Sequence, residues 1–274
     1  KIESKNFRYN FIYMKNFENI EALLIDLEGV LYSDRDLIPG SIEALTELKK
    51  GGYKLRFLTN TTTSPRKFIL KKLSNFGFDI AEKEIFTPII ATKNYLRDNE
   101  VKKISLVTNI EIIEEFNEYE ITQKDPEAII MGDIYKNFNW EILDRIFKLI
   151  YLNNATLIAL HQNKYCMRDG NVSLDLGPFV KTIEYASNKK SILMGKPEKN
   201  FFDLAIKDMN IEKDSVLMIG DDIISDIKGA KDSGLNAIQV KTGKYQNSDC
   251  ENKISQPDER IDSIVDLLKI LKKN

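Results

Sequence analysis

Cysteine and histidine are scarce in this chain of 274 residues, which has two cysteines and a single histidine. Cys166 and Cys250 lie far apart in the sequence and form neither a CxxC pair nor a disulfide framework. We therefore expect a reducing compartment and a cytoplasmic location. A lone histidine such as His161 is more often a structural or surface residue than a catalyst, and it is assigned no catalytic role.

An excess of charge of one sign is also absent. The 40 lysines and arginines are balanced by 42 aspartates and glutamates, which gives a net charge of −2. The chain thus lacks the global basic field typical of nucleic-acid binding. No apolar run approaches the ~20 residues needed to span a bilayer, and the first residues lack a signal-peptide core. We expect a soluble protein without a nucleic-acid or membrane partner.

The sequence does contain short apolar runs that read as strands and end in polar residues. Asp26, Thr59 and Asp221 follow the ends of three such runs. Ligands bind at the carboxyl ends of strands in an open parallel sheet, so these side chains are expected to converge on one crevice. Thr59 and Asn60 also lie in a loop that opens a helix, where free backbone N–H groups favour a phosphoryl anion. The three runs are 22–25, 55–58 and 216–219.

Four short segments carry these polar residues in a fixed order: 26–30 (DLEGV), 59–60 (TN), 195–197 (GKP) and 220–222 (GDD), with Asp226 just beyond. Their order and content resemble the haloacid dehalogenase superfamily of aspartate-nucleophile phosphatases. The stretch between the second and third segments resembles the large α/β cap of the NagD-like subgroup. The resemblance implies an α/β fold, in which a Rossmann-like core with a parallel sheet carries an inserted α/β cap domain.

The length of the chain fits one catalytic core with one sizeable insert. We predict a discontinuous core domain over 15–85 and 180–274, and a cap domain over 86–179. Residues 1–14 are interpreted as an extension or cloning remnant that contributes little to the fold.

Hydrophobic periodicity predicts elements inside both domains. The core is expected to resume after the cap with a helix near 180–186 and to finish with an amphipathic helix over 261–271. In the cap, short strands alternate with helical segments, and the predicted strands are 104–107, 128–131 and 156–160.

The resemblance implies roles for the acidic residues. Asp26 is the implied nucleophile, whose attack on a phosphate ester gives an aspartyl-phosphate that water then hydrolyses. Mg²⁺ is the implied cofactor, with Asp26, the backbone carbonyl of Glu28 and the carboxylate of Asp221 as ligands. Asp222 and Asp226 are implied to orient water or a lysine from outside the ligand set.

Three further residues are implied to bind the substrate phosphate. Thr59 would donate its hydroxyl to a phosphoryl oxygen, Asn60 lies beside it, and Lys196 supplies a fixed positive charge. The predicted function is a magnesium-dependent phosphatase, a phosphoric monoester hydrolase that acts on a small phosphorylated substrate. The resemblance suggests phosphoamino acids, pyrophosphate or phosphorylated metabolites.

Glu28 departs from the family pattern, which places an aspartate here to protonate the leaving oxygen and activate water. Glutamate keeps the acid but adds a methylene, and a misplacement of ~1 Å can cost on the order of 100-fold in rate. The alternative is therefore a pseudoenzyme that binds a phosphorylated ligand or a partner with weak turnover. Carbon–halogen hydrolysis also uses an aspartate nucleophile, but Glu28 and the acidic cluster at Asp221 argue against it.

The cap is expected to choose the substrate, because a cap loop does so in the family. The segment 162–169 is the predicted loop. His161 immediately precedes it and lies near Lys164 and Arg168, which leaves a substrate contact open beside a structural role. Cys166 is interpreted as a buried strand thiol. Relatives often pair through their caps, so a homodimer through the cap is expected as well.

Overall fold

The computed structural model describes residues 17–168, 171–251 and 255–271. The predicted extension over 1–14 lies outside these residues. The described strands are β1 (Ala22–Asp26), β2 (Tyr32–Ser33), β3 (Asp36–Leu37), β4 (Lys54–Leu58), β5 (Ile85–Phe86), β6 (Lys103–Val107), β7 (Glu120–Ile121), β8 (Ala128–Met131), β9 (Thr156–Ala159), β10 (Tyr165–Arg168), β11 (Asn171–Leu174), β12 (Ile192–Leu193), β13 (Val216–Gly220), β14 (Asn236–Val240) and β15 (Glu259–Ile261). The α-helices are α1 (Ser41–Lys50), α2 (Arg66–Phe76), α3 (Pro88–Asp98), α4 (Ile110–Ile113), α5 (Trp140–Asn153), α6 (Leu176–Ser187), α7 (Lys199–Met209), α8 (Gly229–Asp232) and α9 (Leu267–Ile270).

The larger sheet has six parallel strands in the order β15-β14-β13-β1-β4-β5. The strands β1 and β13 lie at its centre and are buried along their whole length. A parallel sheet buried on both faces selects continuous apolar runs rather than alternating ones. This explains why 22–25 and 216–219 are apolar at every position.

Helices cover both faces of this sheet. On one face, Leu23 and Ile25 of β1 share a hydrophobic cluster with α1, α2 and α9. On the other face, Ala22 and Leu24 share a second cluster with α3 and α7. The three layers confirm the predicted α/β class with a parallel core sheet.

The smaller sheet has five parallel strands in the order β12-β9-β8-β6-β7. One of its faces packs against α5 and α6 through Ile146, Ile150, Leu176 and Val180. The opposite face belongs to the same cluster as α3 and α7, the helices that also cover one face of the larger sheet. The two sheets therefore share a continuous apolar layer and are not separated by a solvated linker.

The strand pairing favours a later end for the cap than 179, although the predicted division of the chain stays a prediction. The helix expected near 180–186 is α6, and it packs against α5 of the smaller sheet rather than on the core sheet. Strand β12 also pairs with β9 of the smaller sheet. By this pairing, the chain returns to the core only at about residue 194.

The predicted terminal helix over 261–271 begins later than expected, since Ile261 closes a strand and a 3-10 turn over Ile264–Asp266 leads into the last helix. Residues Glu259–Ile261 form β15, an edge strand paired with β14, and α9 begins only at Leu267. Among the described residues, no helix has the length and apolar character required to cross a membrane.

Candidate active site

Asp26 lies at the end of the central strand β1, where its side chain is only 11% exposed. Its Oδ1 accepts a hydrogen bond from Lys196 Nζ at 2.5 Å. The same ammonium donates to Asp226 Oδ1 at 2.6 Å and is itself buried. One lysine thus bridges two carboxylates that lie far apart in the sequence.

Asn60 positions Lys196 from the loop after β4. Its Oδ1 accepts from the Lys196 backbone N–H at 2.8 Å, and its Nδ2 donates to the Lys196 carbonyl at 2.9 Å. The amide side chain is occupied by the lysine backbone, although Asn60 also lines the cavity described below. The structure therefore gives Asn60 a positioning contact in addition to its predicted place beside the phosphate.

Thr59 and Thr61 form a pair of hydroxyls beside Asn60. Their Oγ1 atoms lie 2.9 Å apart, and the Thr61 N–H donates to Thr59 Oγ1 at 3.1 Å. Either hydroxyl of the pair can donate to the other, and the Thr59 proton is left for a ligand when Thr61 is the donor. Thr61 was missed in the sequence analysis, although the run of three threonines at 61–63 was a signal that hydroxyls cluster in this loop.

Three buried carboxylates meet at the ends of β1 and β13. One carboxylate oxygen from each of Asp26, Asp221 and Asp226 lies within 4.8 Å of the others. Asp226 was expected to orient water or a lysine from outside the ligand set. Its carboxylate nevertheless lies within the same 4.8 Å as those of Asp26 and Asp221. Asp222 is placed differently, because its Oδ1 accepts from the backbone N–H groups of Ile224 and Ser225 at 2.9 Å and caps the following helical turns.

Burial sets the electrostatics of this cluster. Burial raises the pKa of Asp221 to about 6, with the charge of Asp226 adding to the rise. Burial likewise raises the pKa of Asp226 to about 7 and raises that of Asp26, although Lys196 opposes both shifts. Burial lowers the pKa of Lys196, but Asp226 and Asp26 more than offset it and raise this pKa above its ordinary value. Three buried carboxylates around one ammonium leave an excess of negative charge that a cation would balance.

The backbones of two glycines pack directly against the Asp221 carboxylate. A Cβ atom at either Gly29 or Gly243 would lie 2.1 Å from Asp221 Oδ2. The same oxygen accepts from the Lys244 backbone N–H at 2.6 Å, and the Thr242 hydroxyl donates to the Gly29 carbonyl. The loop 242–244, which follows β14, was also missed in the sequence analysis.

A cavity of about 200 Å³ opens onto Asp26, Asp226 and Lys196, whereas the buried Asp221 does not line it. Glu28, the residue that departs from the family pattern, is exposed and lies in its wall. A larger cavity of about 830 Å³ lies elsewhere, beside α3, and shares no lining residue with it. The larger cavity has charges of both signs that pair with each other, as Lys93 does with Glu118 at 2.8 Å. The chemistry is therefore concentrated in the smaller cavity, which is lined by Asp26, Glu28, Thr59, Asn60, Thr61, Lys196, Asp222, Ser225, Asp226 and Lys244.

The predicted cap loop does not line this cavity in its described part, 162–168. His161 is buried, and its Nε2 lies 3.6 Å from Asp175 Oδ1. Burial lowers the pKa of His161, which favours the neutral imidazole. Arg168 forms an ion pair with Asp133. Cys166 is only half-buried, contrary to the buried thiol that was expected.

Comparison with known proteins gives the family. A family model described as haloacid dehalogenase-like hydrolase matches residues 23–122, and a related hydrolase model matches 193–267. The chain is 40% identical over 238 residues to the human haloacid dehalogenase-like hydrolase domain-containing protein 2, which covers 87% of this chain and 90% of that protein. It is 31% identical to the human phospholysine phosphohistidine inorganic pyrophosphate phosphatase, over 94% of this chain and 96% of that one.

The chain belongs to the haloacid dehalogenase-like hydrolases.

Solved structures of a phosphatase and of NagD share the fold of this chain. The 4-nitrophenylphosphatase of Thermotoga maritima superposes with a TM-score of 0.82 at 26% identity, covering 92% of this chain and 98% of that one. NagD from E. coli shares the fold, with a TM-score of 0.80 at 24% identity and coverage of 90% and 97%. The predicted resemblance to the NagD-like members of the superfamily is thereby confirmed.

Proposed function

We propose that this haloacid dehalogenase-like hydrolase is a magnesium-dependent phosphoric monoester hydrolase that acts on a small phosphorylated compound through an aspartyl-phosphate on Asp26. The observation that carries the proposal is the buried cluster in which Lys196 bridges Asp26 and Asp226 while Asp221 lies beside them. A strand-end carboxylate next to a fixed ammonium suits in-line attack on a phosphoryl group. Relatives named as phosphatases support the reaction class.

The donor set fits Mg²⁺, which prefers oxygen ligands and one or two carboxylates. Asp26, Asp221 and the backbone carbonyl of Glu28 are the proposed ligands that would hold the ion, and Asp226 accepts a hydrogen bond from Lys196 beside them. The chemistry that the ion supplies when bound is neutralisation of charge on the transferred phosphoryl oxygens. A glycerol phosphate phosphatase of Mycobacterium tuberculosis that shares the fold was solved in complex with magnesium.

In the first step a carboxylate oxygen of Asp26 forms a bond to phosphorus while the bond from phosphorus to the leaving oxygen breaks. Glu28 donates the proton that the leaving oxygen takes up. Thr59 donates its hydroxyl to a phosphoryl oxygen, and Lys196 holds the attacking carboxylate with a charge that favours its ionised form. Asn60 keeps Lys196 in place through both of its backbone groups.

In the second step water attacks the aspartyl-phosphate. Glu28, now ionised, accepts the proton of that water, the bond between Asp26 and phosphorus breaks, and phosphate leaves. Asp26 regains its carboxylate and Glu28 its proton.

A volume of about 200 Å³ favours small substrates, since pockets for drug-sized ligands measure roughly 300–1,000 Å³. Pyrophosphate and phosphoamino acids are the candidates proposed from the names of relatives.

We also propose a cytoplasmic homodimer that pairs through the cap. Its support is a group of large apolar side chains exposed on α5 and α6, and the free state of both cysteines. The exposed side chains are Trp140, Tyr151, Leu152 and Tyr185.

The test is phosphate release from 4-nitrophenyl phosphate, pyrophosphate and a panel of phosphoamino acids, with Mg²⁺ and with excess chelator. Release that requires Mg²⁺ and disappears in Asp26→Asn supports the proposal. Undiminished release by Asp26→Asn contradicts the nucleophile, and full release with chelator contradicts the metal. No release above the Asp26→Asn control would favour the alternative prompted by Glu28, a pseudoenzyme that binds a phosphorylated ligand or a partner.

A further inference from the structure

Two ammonium groups line the active-site cavity, and they differ in how much of their bonding capacity is used. Lys196 donates to two carboxylates, and its side chain is 4% exposed. Lys244 reaches the same cavity, but its side chain is 72% exposed and its Nζ contacts Asp222 Oδ2 at 3.3 Å. An ammonium has three donors, so Lys244 keeps donors for a ligand that enters the cavity.

The main chain of Lys244 is fixed although its side chain is exposed. Its N–H donates to Asp221 Oδ2 at 2.6 Å, and the preceding Gly243 packs against the same carboxylate. The neighbouring Thr242 hydroxyl bonds the Gly29 carbonyl. The Cα of Lys244 is thus held at a constant place relative to the catalytic carboxylates, while its ammonium can exchange partners.

The exchange of partners costs little. The ion pair of Lys244 with Asp222 is weak, because the lysine side chain is 72% exposed and water competes for its charge. Asp222 also keeps two backbone N–H donors on its other oxygen when the lysine leaves. Burial lowers the pKa of Lys244, but Asp222, Asp221 and Asp26 raise it above its ordinary value, so the ammonium stays charged.

We propose that Lys244 binds a second anionic group of the substrate, next to the phosphoryl group that Asp26 attacks. This inference rests on the proposed function and names its substrate class: a compact phosphoryl compound with two neighbouring anionic groups, of which inorganic diphosphate is the smallest. Thr59 and Lys196 take the first anionic group at the floor of the cavity. The small volume of the cavity keeps the second anionic group close to the first. The exposed ammonium of Lys244 is the cation in the cavity wall that this second group would contact.

The experiment measures inhibition of 4-nitrophenyl phosphate hydrolysis by imidodiphosphate, a diphosphate analogue with a P–N–P bridge. Orthophosphate is the reference inhibitor with one anionic group, and free Mg²⁺ is held constant. In Lys244→Ala the inhibition constant for imidodiphosphate should rise about tenfold or more relative to that for orthophosphate, the loss expected for a charged hydrogen bond. Lys244→Arg should restore most of the difference.

Lys269→Ala is the matched control, since Lys269 is 75% exposed, pairs with Asp266 and lies outside the cavity. It should leave the ratio unchanged. Equal changes for both inhibitors in Lys244→Ala, or a lower melting temperature with no change of ratio, would overturn the proposal and leave the lysine a structural partner of Asp222. Phosphonoacetate is a third inhibitor, in which the second anionic group is a carboxylate. If Lys244 also binds a carboxylate, Lys244→Ala should raise the inhibition constant for phosphonoacetate as well.

Titration calorimetry with imidodiphosphate and orthophosphate measures the same ratio without turnover. If the protein hydrolyses no 4-nitrophenyl phosphate but Lys244→Ala still weakens imidodiphosphate binding relative to orthophosphate binding, the proposed catalysis is contradicted and the subsite is supported. A chain that hydrolyses the aryl ester but shows no effect of Lys244→Ala supports the catalysis and contradicts the subsite.

Discussion

At the scale of single residues, Glu28 decides between the proposed phosphatase and its pseudoenzyme alternative, because this side chain both departs from the family pattern and is exposed in the cavity wall. Its flexible stem can bring the carboxyl to the leaving oxygen without disturbing buried neighbours. The proposed metal ligand at this position is the backbone carbonyl, which a substitution leaves in place.

Glu28→Gln should therefore lower kcat for 4-nitrophenyl phosphate by about 10²–10⁴-fold, because the proton donor is lost. The concentration of Mg²⁺ that gives half-maximal rate should change little. Glu28→Asp is the matched variant, and it should stay within roughly tenfold of the wild type. A large gain of rate in Glu28→Asp from a wild type near zero would instead indicate a pseudoenzyme.

The sequence indicated which residues meet but not every contact that they make. The strand-end rule was sufficient to bring Asp26, Thr59 and Asp221 to one edge of the sheet. It did not show that Asn60 would hold the backbone of Lys196, since that pairing joins loops 136 positions apart. Nor did it place Asp226 within the buried cluster, because this depends on how tightly the turn after β13 winds.

At the scale of elements, the junction between α6 and β12 is held by one buried carboxylate. Glu184 accepts from Lys181 Nζ at 2.7 Å and from the backbone N–H and hydroxyl of Ser191 at 2.9 and 2.7 Å. Burial raises the pKa of Glu184, but these hydrogen bonds outweigh it and bring the pKa to about 2. The ionised form thus ties the last helix of the smaller sheet to its edge strand.

Glu184→Gln should lower the free energy of unfolding by about 1.5–3 kcal/mol at pH 7, the range for hydrogen bonds to a charged group. A carboxyl whose folded pKa is depressed stabilises the protein above its unfolded pKa of 4.5, and that stability is lost as the pH falls toward 2. The difference between variant and wild type should therefore shrink over this window in urea unfolding. Glu47→Gln, which removes an exposed pair with Lys50, should cost less than 1 kcal/mol. Equal losses at the two positions, or a loss at Glu184 that does not depend on pH, would contradict this account.

Strands buried on both faces were predicted well, because a short, continuous apolar run bounded by polar residues is typical of a strand that helices cover on both sides. The edge strand β15 was not. Its residues Glu259, Arg260 and Ile261 contain only one apolar side chain, and their extended form is fixed by pairing with β14. Similarly, α6 was expected on the core, since its apolar stripe does not specify which sheet it covers.

For the whole molecule, the buried acidic cluster links folding to pH and to metal. In chelator, the carboxyl groups of Asp221 and Asp226 have pKa values raised from 3.8 to about 6 and 7. A raised carboxyl pKa favours the folded state at low pH, and this contribution is lost as the pH rises through 6 to 7. A cation bound to the ionised cluster restores it.

Addition of Mg²⁺ should therefore raise the melting temperature more at pH 8 than at pH 5, where protons compete for the carboxylates. At 100 times the dissociation constant the gain corresponds to roughly 2.7 kcal/mol. Differential scanning fluorimetry with and without chelator measures it. Asp221→Asn should be more stable than the wild type in chelator at pH 8 and should lose the magnesium response. A response equal at both pH values, or one that persists in Asp221→Asn, would show that the ion binds elsewhere.

Gly29 and Gly243 contribute no functional group, yet each has a left-handed backbone and lies against the Asp221 carboxylate. Any side chain at either position would have to push that carboxylate away. At Gly234 the backbone is also left-handed, but nothing lies within 4 Å, so only backbone strain opposes a substitution there. In a library that varies every position and selects for turnover, Gly29 and Gly243 should accept as few replacements as Asp221 itself. Mutational intolerance would then outline an active site larger than its set of reactive groups.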